Sequence, residues 1–249
     1  ISHSIESEIR KKYSNKFIFY LTKFLENLVF KYSDVSTSVS KKEQSKILKI
    51  YNKKTKLYPN AIDITNVKPA RQKIHDYIIY SGSYQYKPNK EAIDFLNNFI
   101  MPYLVQKYPN LKLVVTGGGL KKKYPWMINK GIVSKKNLYN LITNSKCMCV
   151  PLNFGSGTRI KILETLSLGS IVISTTKGIE GIKLKRKNPP FVLTHNKNMM
   201  KILIKVIKNY KKYKKISNRD KEYYIKYYSM KNITKNFIKK NLREFESEN

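Results

Sequence analysis

The side chains best spaced for chemistry lie between residues 151 and 175, PLNFGSGTRIKILETLSLGSIVIST. An apolar run over 147–152 reads as a buried strand that leads into a loop of Gly155, Ser156 and Gly157. A helix over 158–168 follows, carrying Arg159, Lys161 and Glu164, and then a second apolar strand. A glycine loop entering a helix directs backbone N–H groups and the positive end of the helix dipole at one spot, which suits a phosphate. Lys161 adds a cation one turn in, and Glu164, one turn further, is placed to accept hydrogen bonds from a sugar hydroxyl. Ile160, Leu163 and Leu166 turn toward the sheet, while Lys161 and Glu164 share the other face. Together these residues describe a site for a nucleotide-sugar diphosphate. The competing reading is plainer: the glycines make only a tight turn, and Lys161 and Glu164 form a solvated i, i+3 ion pair.

Elements able to hold such a site recur along the chain. Strands are expected over 77–81, 112–116, 147–151, 171–174 and 191–193, with a short one at Ile132. Helices over 89–108, 136–144 and 158–168 alternate with them. That alternation predicts an α/β fold with a Rossmann-like parallel sheet covered on both faces. Ahead of it, residues 1–7 read as a strand end and loop. Residues 17–30 read as a core-facing helix, on the spacing of Phe17, Leu21, Phe24, Leu25 and Leu28. Residues 34–40 read as a short strand whose Ser40 caps a helix over 41–51, and 56–60 as another short strand and turn. An interdomain linker is expected over 69–76, and 198–210 and 218–248 read as helical.

The net charge is +34, from 50 Lys and Arg against 16 Asp and Glu. A domain this basic invites a nucleic-acid reading. The lysines are spread along the whole chain, however, and only six of the basic residues are Arg, the side chain suited to bidentate contacts. No specific nucleic-acid partner is expected, and the dense runs over 121–123, 183–187 and 205–215 read as solvated faces. An anionic membrane surface is the partner this charge fits better. Arg10, Lys11, Lys12, Lys16, Lys23 and Lys31 flank the apolar face of the first long helix. A core helix with its lysines outward explains the same pattern. Cys147 and Cys149 alternate in an expected buried strand, which points to free thiols in a reducing compartment. No run of 18 apolar residues exists, and Asp-x-Asp is absent. His75 and His195 read as surface residues. His3 falls at an expected strand end, where catalytic side chains of α/β folds collect.

Residues 155–164, then Leu168-Gly169, 172–175 and Gly178-Ile179-Glu180-Gly181, resemble the C-terminal domain of the group 1 glycosyltransferases. These are GT-B enzymes of the glycogen-synthase and lipopolysaccharide-transferase kind. More of the chain fits in order: residues 80–83 with Lys87-Pro88-Asn89, Pro102 before Pro109, 113–119 and 131–133, a likeness spanning about 33–196. The resemblance implies transfer of a sugar from a nucleotide-diphosphate donor to a glycan or lipid-linked acceptor, with retained configuration and with neither metal nor cofactor. It assigns Glu164 to the ribose, and Gly155, Ser156, Gly157 and Thr158 to the diphosphate and transferred sugar. Gly82 and Ser83 would lie beneath the phosphates, with Gly118 nearby, and Ile132 and Val133 would frame the base beside Gly131. Lys161 and the helix N-terminus would stabilise the leaving diphosphate, and Arg159 would share that task or pack outward. His3 would face the transferred sugar. One departure stands out: many members carry a glutamate eight residues before the second, and here that position is Ser156.

Too few of the 249 residues precede Tyr77 to make a whole second domain, and the chain begins at Ile1. The organisation expected is a fragment. Residues 1–68 would be the remnant of an acceptor-binding domain and linker, 69–215 the nucleotide-sugar domain, and 216–249 C-terminal helices. A cytoplasmic location, peripheral at the membrane face, goes with that reading. Two other functions remain open from the residues: a truncated nucleotide-sugar-binding domain without catalysis, and a basic nucleic-acid-binding protein.

Overall fold

A computed structural model describes residues 5–63, 75–155, 157–186, 188–193 and 196–246. The N-terminal part holds α1 (Glu6–Tyr13), α2 (Lys16–Tyr32), β1 (Thr37–Ser38), α3 (Lys41–Tyr51) and β2 (Lys56–Leu57). β1 and β2 pair in parallel, with Thr37 opposite Lys56 and Ser38 opposite Leu57. Ser40 caps α3 as expected, its hydroxyl accepting from the Glu43 N–H at 3.2 Å, while the Glu43 carboxylate accepts from Val39 N–H at 3.1 Å. Ile5, Phe30 and Ile47 form a small core of their own.

Two expectations for this part are corrected. The strand end expected over 1–7 lies partly outside the described residues, and α1 already begins at Glu6. Its first turn is capped from another helix: Glu26 of α2 accepts from the Glu6 N–H at 2.6 Å and the Ser7 N–H at 3.2 Å. The second correction concerns α2, which forms but does not face a core. Phe17 is 74% exposed and Phe24 58%, Leu21 and Leu25 are also exposed, and Phe30 is its one buried residue. The helix packs on α1 through its other side, so its apolar periodicity faces outward.

From residue 75 onward, strands and helices alternate: β3 (Tyr77–Ser81), α4 (Lys87–Phe95), α5 (Met101–Lys107), β4 (Lys112–Thr116), β5 (Met127–Asn129), α6 (Lys135–Asn144) and β6 (Cys147–Val150). Next come α7 (Ile160–Ser167), β7 (Val172–Thr175), β8 (Phe191–Leu193), α8 (Met199–Lys208), α9 (Tyr210–Tyr228) and α10 (Met230–Glu246). The strands form one parallel sheet in the order β5-β4-β3-β6-β7-β8. β6 and β7 are buried along their full length, as strands covered on both faces must be. Cys147 and Cys149 are free and buried within β6.

The helix expected over 89–108 is interrupted by a π-helical turn, Leu96–Ile100. Pro102 has no N–H to continue the ladder. Asn97, fully buried in that turn, donates to the Ile93 carbonyl at 3.1 Å and accepts from the Trp126 indole at 3.2 Å. The strand expected at Ile132 sits earlier, at Met127–Asn129. Asn129 then accepts from the Gly131 N–H at 2.9 Å and turns the chain outward, leaving Ile132 86% exposed. The helix expected over 218–248 is two helices, broken at Ser229. There Ile62 inserts between them, its N–H donating to the Tyr228 carbonyl at 2.8 Å. α10 then returns to the N-terminal part, where Phe237 meets Tyr58 edge to face at 4.9 Å. Of the linker expected over 69–76, only His75 and Asp76 lie among the described residues.

Candidate functional site

The strand order reverses between β3 and β6, so the loops leaving their C-terminal ends open a crevice where α/β sheets hold ligands. Gly82 follows β3, Gly117 and Gly118 follow β4, and Gly155 and Gly157 follow β6. The turns are laced together. Gly82 N–H donates to the Thr116 carbonyl at 2.8 Å, Tyr84 N–H to the Gly118 carbonyl at 2.8 Å, and Gly117 N–H to the Gly131 carbonyl at 2.7 Å. Ile132 lies against Gly118, where an added Cβ would stand 3.5 Å from the Ile132 side chain. Gly82, Ser83, Gly118 and Ile132 are thus brought together from three strands, and Val133 follows directly. Ser156 and His3 lie outside the described residues.

Lys161 is the centre of the arrangement, and the ion-pair alternative does not hold for it. Its ammonium reaches across to β3 and α4, donating to Asn89 Oδ1 at 3.0 Å and to the Tyr80 hydroxyl at 3.3 Å. It stands 4.4 Å from the centroid of the Tyr80 ring. Tyr80, fully buried, donates in turn to Asn89 Oδ1 at 2.7 Å, and Asn89 Nδ2 donates to the Ser83 carbonyl at 2.9 Å. Every one of these partners is neutral. Burial, and then the nearby Arg159 guanidinium, push Lys161 down to about 7. Gly82 leaves the ammonium its space: an added Cβ there would meet Lys161 Nζ at 2.7 Å and Asn89 Nδ2 at 2.6 Å, at a φ of +153°.

Glu164 points elsewhere, accepting a hydrogen bond from the fully buried Tyr139 of α6 at 2.7 Å. That bond to a carboxylate helps raise the Tyr139 phenol, after burial, above its usual range. Arg159 precedes α7 and donates to the Gly157 carbonyl at 2.9 Å. Its guanidinium lies under Gly155, where a Cβ would approach Nη2 to 2.6 Å, and burial lowers its pKa. Thr158 is buried, and Gly181 leaves its hydroxyl room, since an added Cβ there would stand 2.7 Å away. Of the expected sheet-facing residues of α7, Leu163 and Leu166 are buried but Ile160 is 45% exposed; Ile162 takes the inward place. Glu180 ties this half to the N-terminal part by an ion pair to Lys42 at 2.7 Å, and pairs locally with Lys177 at 2.5 Å. Burial alone would raise the Glu180 carboxyl, but the two lysines outweigh it and hold it below its ordinary value.

Tyr80, Asn89 and Tyr139 were not expected in the site. Tyr80 and Asn89 stood in the 80–83 and Lys87-Pro88-Asn89 motifs without a role assigned to their side chains, and Tyr139 has no local signature, because only the packing of α6 against α7 gives it a role.

The family model for glycosyl transferases group 1 matches residues 75–209. A curated relative, the uncharacterized glycosyltransferase MJ1059 of Methanocaldococcus jannaschii, is 28% identical over 167 residues, covering 59% of this chain and 40% of its own. Among solved structures, sucrose-phosphate synthase of Thermosynechococcus elongatus superposes with a TM-score of 0.75 at 11% identity, covering 98% of this chain and 67% of that one. Anabaena HepE in complex with UDP-glucose gives 0.72 at 11% identity, over 90% of this chain and 68% of that one. The chain therefore spans well under half of the curated relative.

Proposed function

The chain belongs to the group 1 glycosyl transferases, and on that footing we propose that the crevice between β3 and β6 binds a nucleotide-diphosphate sugar for transfer to a glycan or lipid-linked acceptor. The observation that carries the reading is Lys161. It is a largely buried ammonium with only neutral partners, set beside a glycine loop at the N-terminal end of α7 and at the reversal of the sheet. A buried cation without a carboxylate is costly unless an anion completes it. A diphosphate arriving at the Gly155 loop supplies that anion.

In this reading the α7 N-terminus and Lys161 stabilise the charge that grows on the diphosphate as the sugar–phosphate bond breaks, an electrostatic contribution with no covalent partner from the protein. Arg159, held to Gly157, supports the same region. Glu164, steadied by Tyr139, accepts the ribose hydroxyls, and the exposed Ile132 with Val133 offers an apolar edge to the base. Ser156 and His3 are assigned to the transferred sugar, which leaves with retained configuration. Residues 1–68 are assigned to an acceptor-binding half, to which the outward apolar face of α2 belongs. Binding to anionic vesicles that depends on Phe17 and Phe24 would assign that face to a membrane instead. Among the described residues no helix is long and apolar enough to cross one.

The test is calorimetric titration with uridine diphosphate, chosen because HepE is solved with it, followed by an assay for release or transfer of the donor sugar. Saturable binding with turnover supports the transferase. Binding without turnover would favour a nucleotide-sugar-binding module, and no binding would refute the site.

A further inference from the structure

Lys214 of α9 is only 7% exposed, yet among the described residues its ammonium hydrogen-bonds to one neutral group, the Ser170 hydroxyl at 3.2 Å. Ser170 passes its own proton to the Ile142 carbonyl at 3.3 Å, so a lone pair faces the lysine. An ammonium has three donors, and this contact uses one. Lys211, Lys215 and Arg219 line the same hollow of about 540 Å³, with Tyr210 and Asn218 completing its wall. These positions share one face of the helix. The adjacent carboxylate, Asp220, is engaged by Lys185 at 3.2 Å and Arg186 at 2.6 Å, so it neutralises none of the four. Among the described residues none of the four has a carboxylate within 4 Å. Tyr210 adds a hydroxyl that is buried with no hydrogen-bond partner.

We propose that this hollow binds a phosphate group, held by the Lys214 ammonium at its floor and by Lys211, Lys215 and the Arg219 fork at its rim. The geometry sets it apart from the nucleotide-sugar crevice: Ser170 precedes β7, whereas the Gly82 and Gly155 loops follow β3 and β6 at the opposite end of the sheet. Four cations lining one hollow without a carboxylate fit a dianion, and an arginine fork fits two of its oxygens. Burial, with Lys221 nearby, pushes Lys214 down to about 8. The same chemistry is offered by free phosphate or a phosphorylated metabolite and by the phosphate headgroup of a lipid.

The experiment measures binding of inorganic phosphate by calorimetry, and of phosphatidic acid against phosphatidylcholine vesicles by sedimentation. It uses the whole chain and the variants Lys214→Met, Arg219→Met and, as a control on an exposed helix end, Lys107→Met. The expected result is saturable binding that Lys214→Met and Arg219→Met each weaken by about tenfold, the scale of a lost charge-assisted hydrogen bond, while Lys107→Met changes it less than about twofold. Binding of inorganic phosphate identifies a free ligand. Binding only to phosphatidic acid vesicles, with the same dependence, identifies a headgroup. Arg219 is exposed, so its variant remains informative should Lys214→Met melt at a lower temperature. Equal losses in all three variants, or duplex DNA binding that all three weaken alike, would reduce the hollow to the general positive field. So would the absence of saturable binding to both probes. Each of these results overturns the inference.

Discussion

Nucleoside diphosphate binding should take up a proton through Lys161, and the uptake can be worked out from its surroundings. With the free ammonium titrating at about 7, roughly half of the free protein holds Lys161 neutral at pH 7 and about nine-tenths at pH 8. A diphosphate beside it favours the charged form, so binding should draw about 0.5 proton per site at pH 7 and about 0.9 at pH 8. Charging the lysine then costs about 0.4 kcal/mol at pH 7 and about 1.4 kcal/mol at pH 8, so affinity should fall roughly fivefold over that unit. The ligand contributes little at pH 8, since its terminal phosphate has a second pKa of about 6 and is already ionised. Calorimetry in buffers of different ionisation enthalpy reads the proton directly. A binding enthalpy independent of the buffer at pH 8, or the same uptake in Lys161→Met, would refute the reasoning. The linkage also acts on the free protein. A lysine whose folded pKa lies below its unfolded value binds fewer protons when folded, so stability should rise with pH from about 7 toward 10.

Four substitutions probe the surrounding parts. Gly82→Ala places a methyl 2.7 Å from the Lys161 ammonium at a positive φ, so nucleoside diphosphate affinity should drop about tenfold at a stability loss of about 1–3 kcal/mol, read by titration and by denaturant melts. Tyr139→Phe removes the 2.7 Å bond to Glu164; nucleoside affinity should weaken by about 1 kcal/mol with the far-ultraviolet spectrum unchanged, and full affinity would separate Tyr139 from ribose binding. Glu180 has a depressed folded pKa, so its stabilising contribution is present above its ordinary 4.5 and lost as pH falls through the lower folded value. Glu180→Gln should therefore flatten the acid side of the stability profile. Lys42→Ala alone should cost no more than about 1 kcal/mol, since that lysine is largely exposed.

The parts of the fold legible in the sequence were those decided locally. Ser40 capped its helix where the spacing placed it, and the strands over 77–81, 112–116 and 191–193 formed at the expected residues. The Gly155 loop led into α7 in the same way, though the helix begins at Ile160. What escaped was set by distant contacts. Nothing near Glu6 announces that Glu26 will cap α1, and nothing near Lys161 announces that Tyr80 and Asn89 will take its ammonium away from Glu164. The i, i+3 spacing of Lys161 and Glu164 was compatible with a surface pair; burial of Tyr80 and Tyr139 against α7 decided otherwise. Ile132 looked like a strand residue by type, but the Asn129–Gly131 turn places it in solvent. In α2 the periodicity was right and its meaning was not, because a 3.6-residue apolar stripe says that a face is to be covered without saying by what.

The central claim, that Lys161 and the Gly155 loop hold a diphosphate, is tested most directly by comparing a nucleoside diphosphate with its bare nucleoside. Calorimetric affinities of both should be measured for the parent, Lys161→Ala and Lys107→Ala. The account predicts that Lys161→Ala weakens the diphosphate by about tenfold or more and the nucleoside hardly at all, while Lys107→Ala leaves both within about twofold. Equal losses in the two variants that added salt abolishes would contradict it, leaving only the field of a highly basic protein.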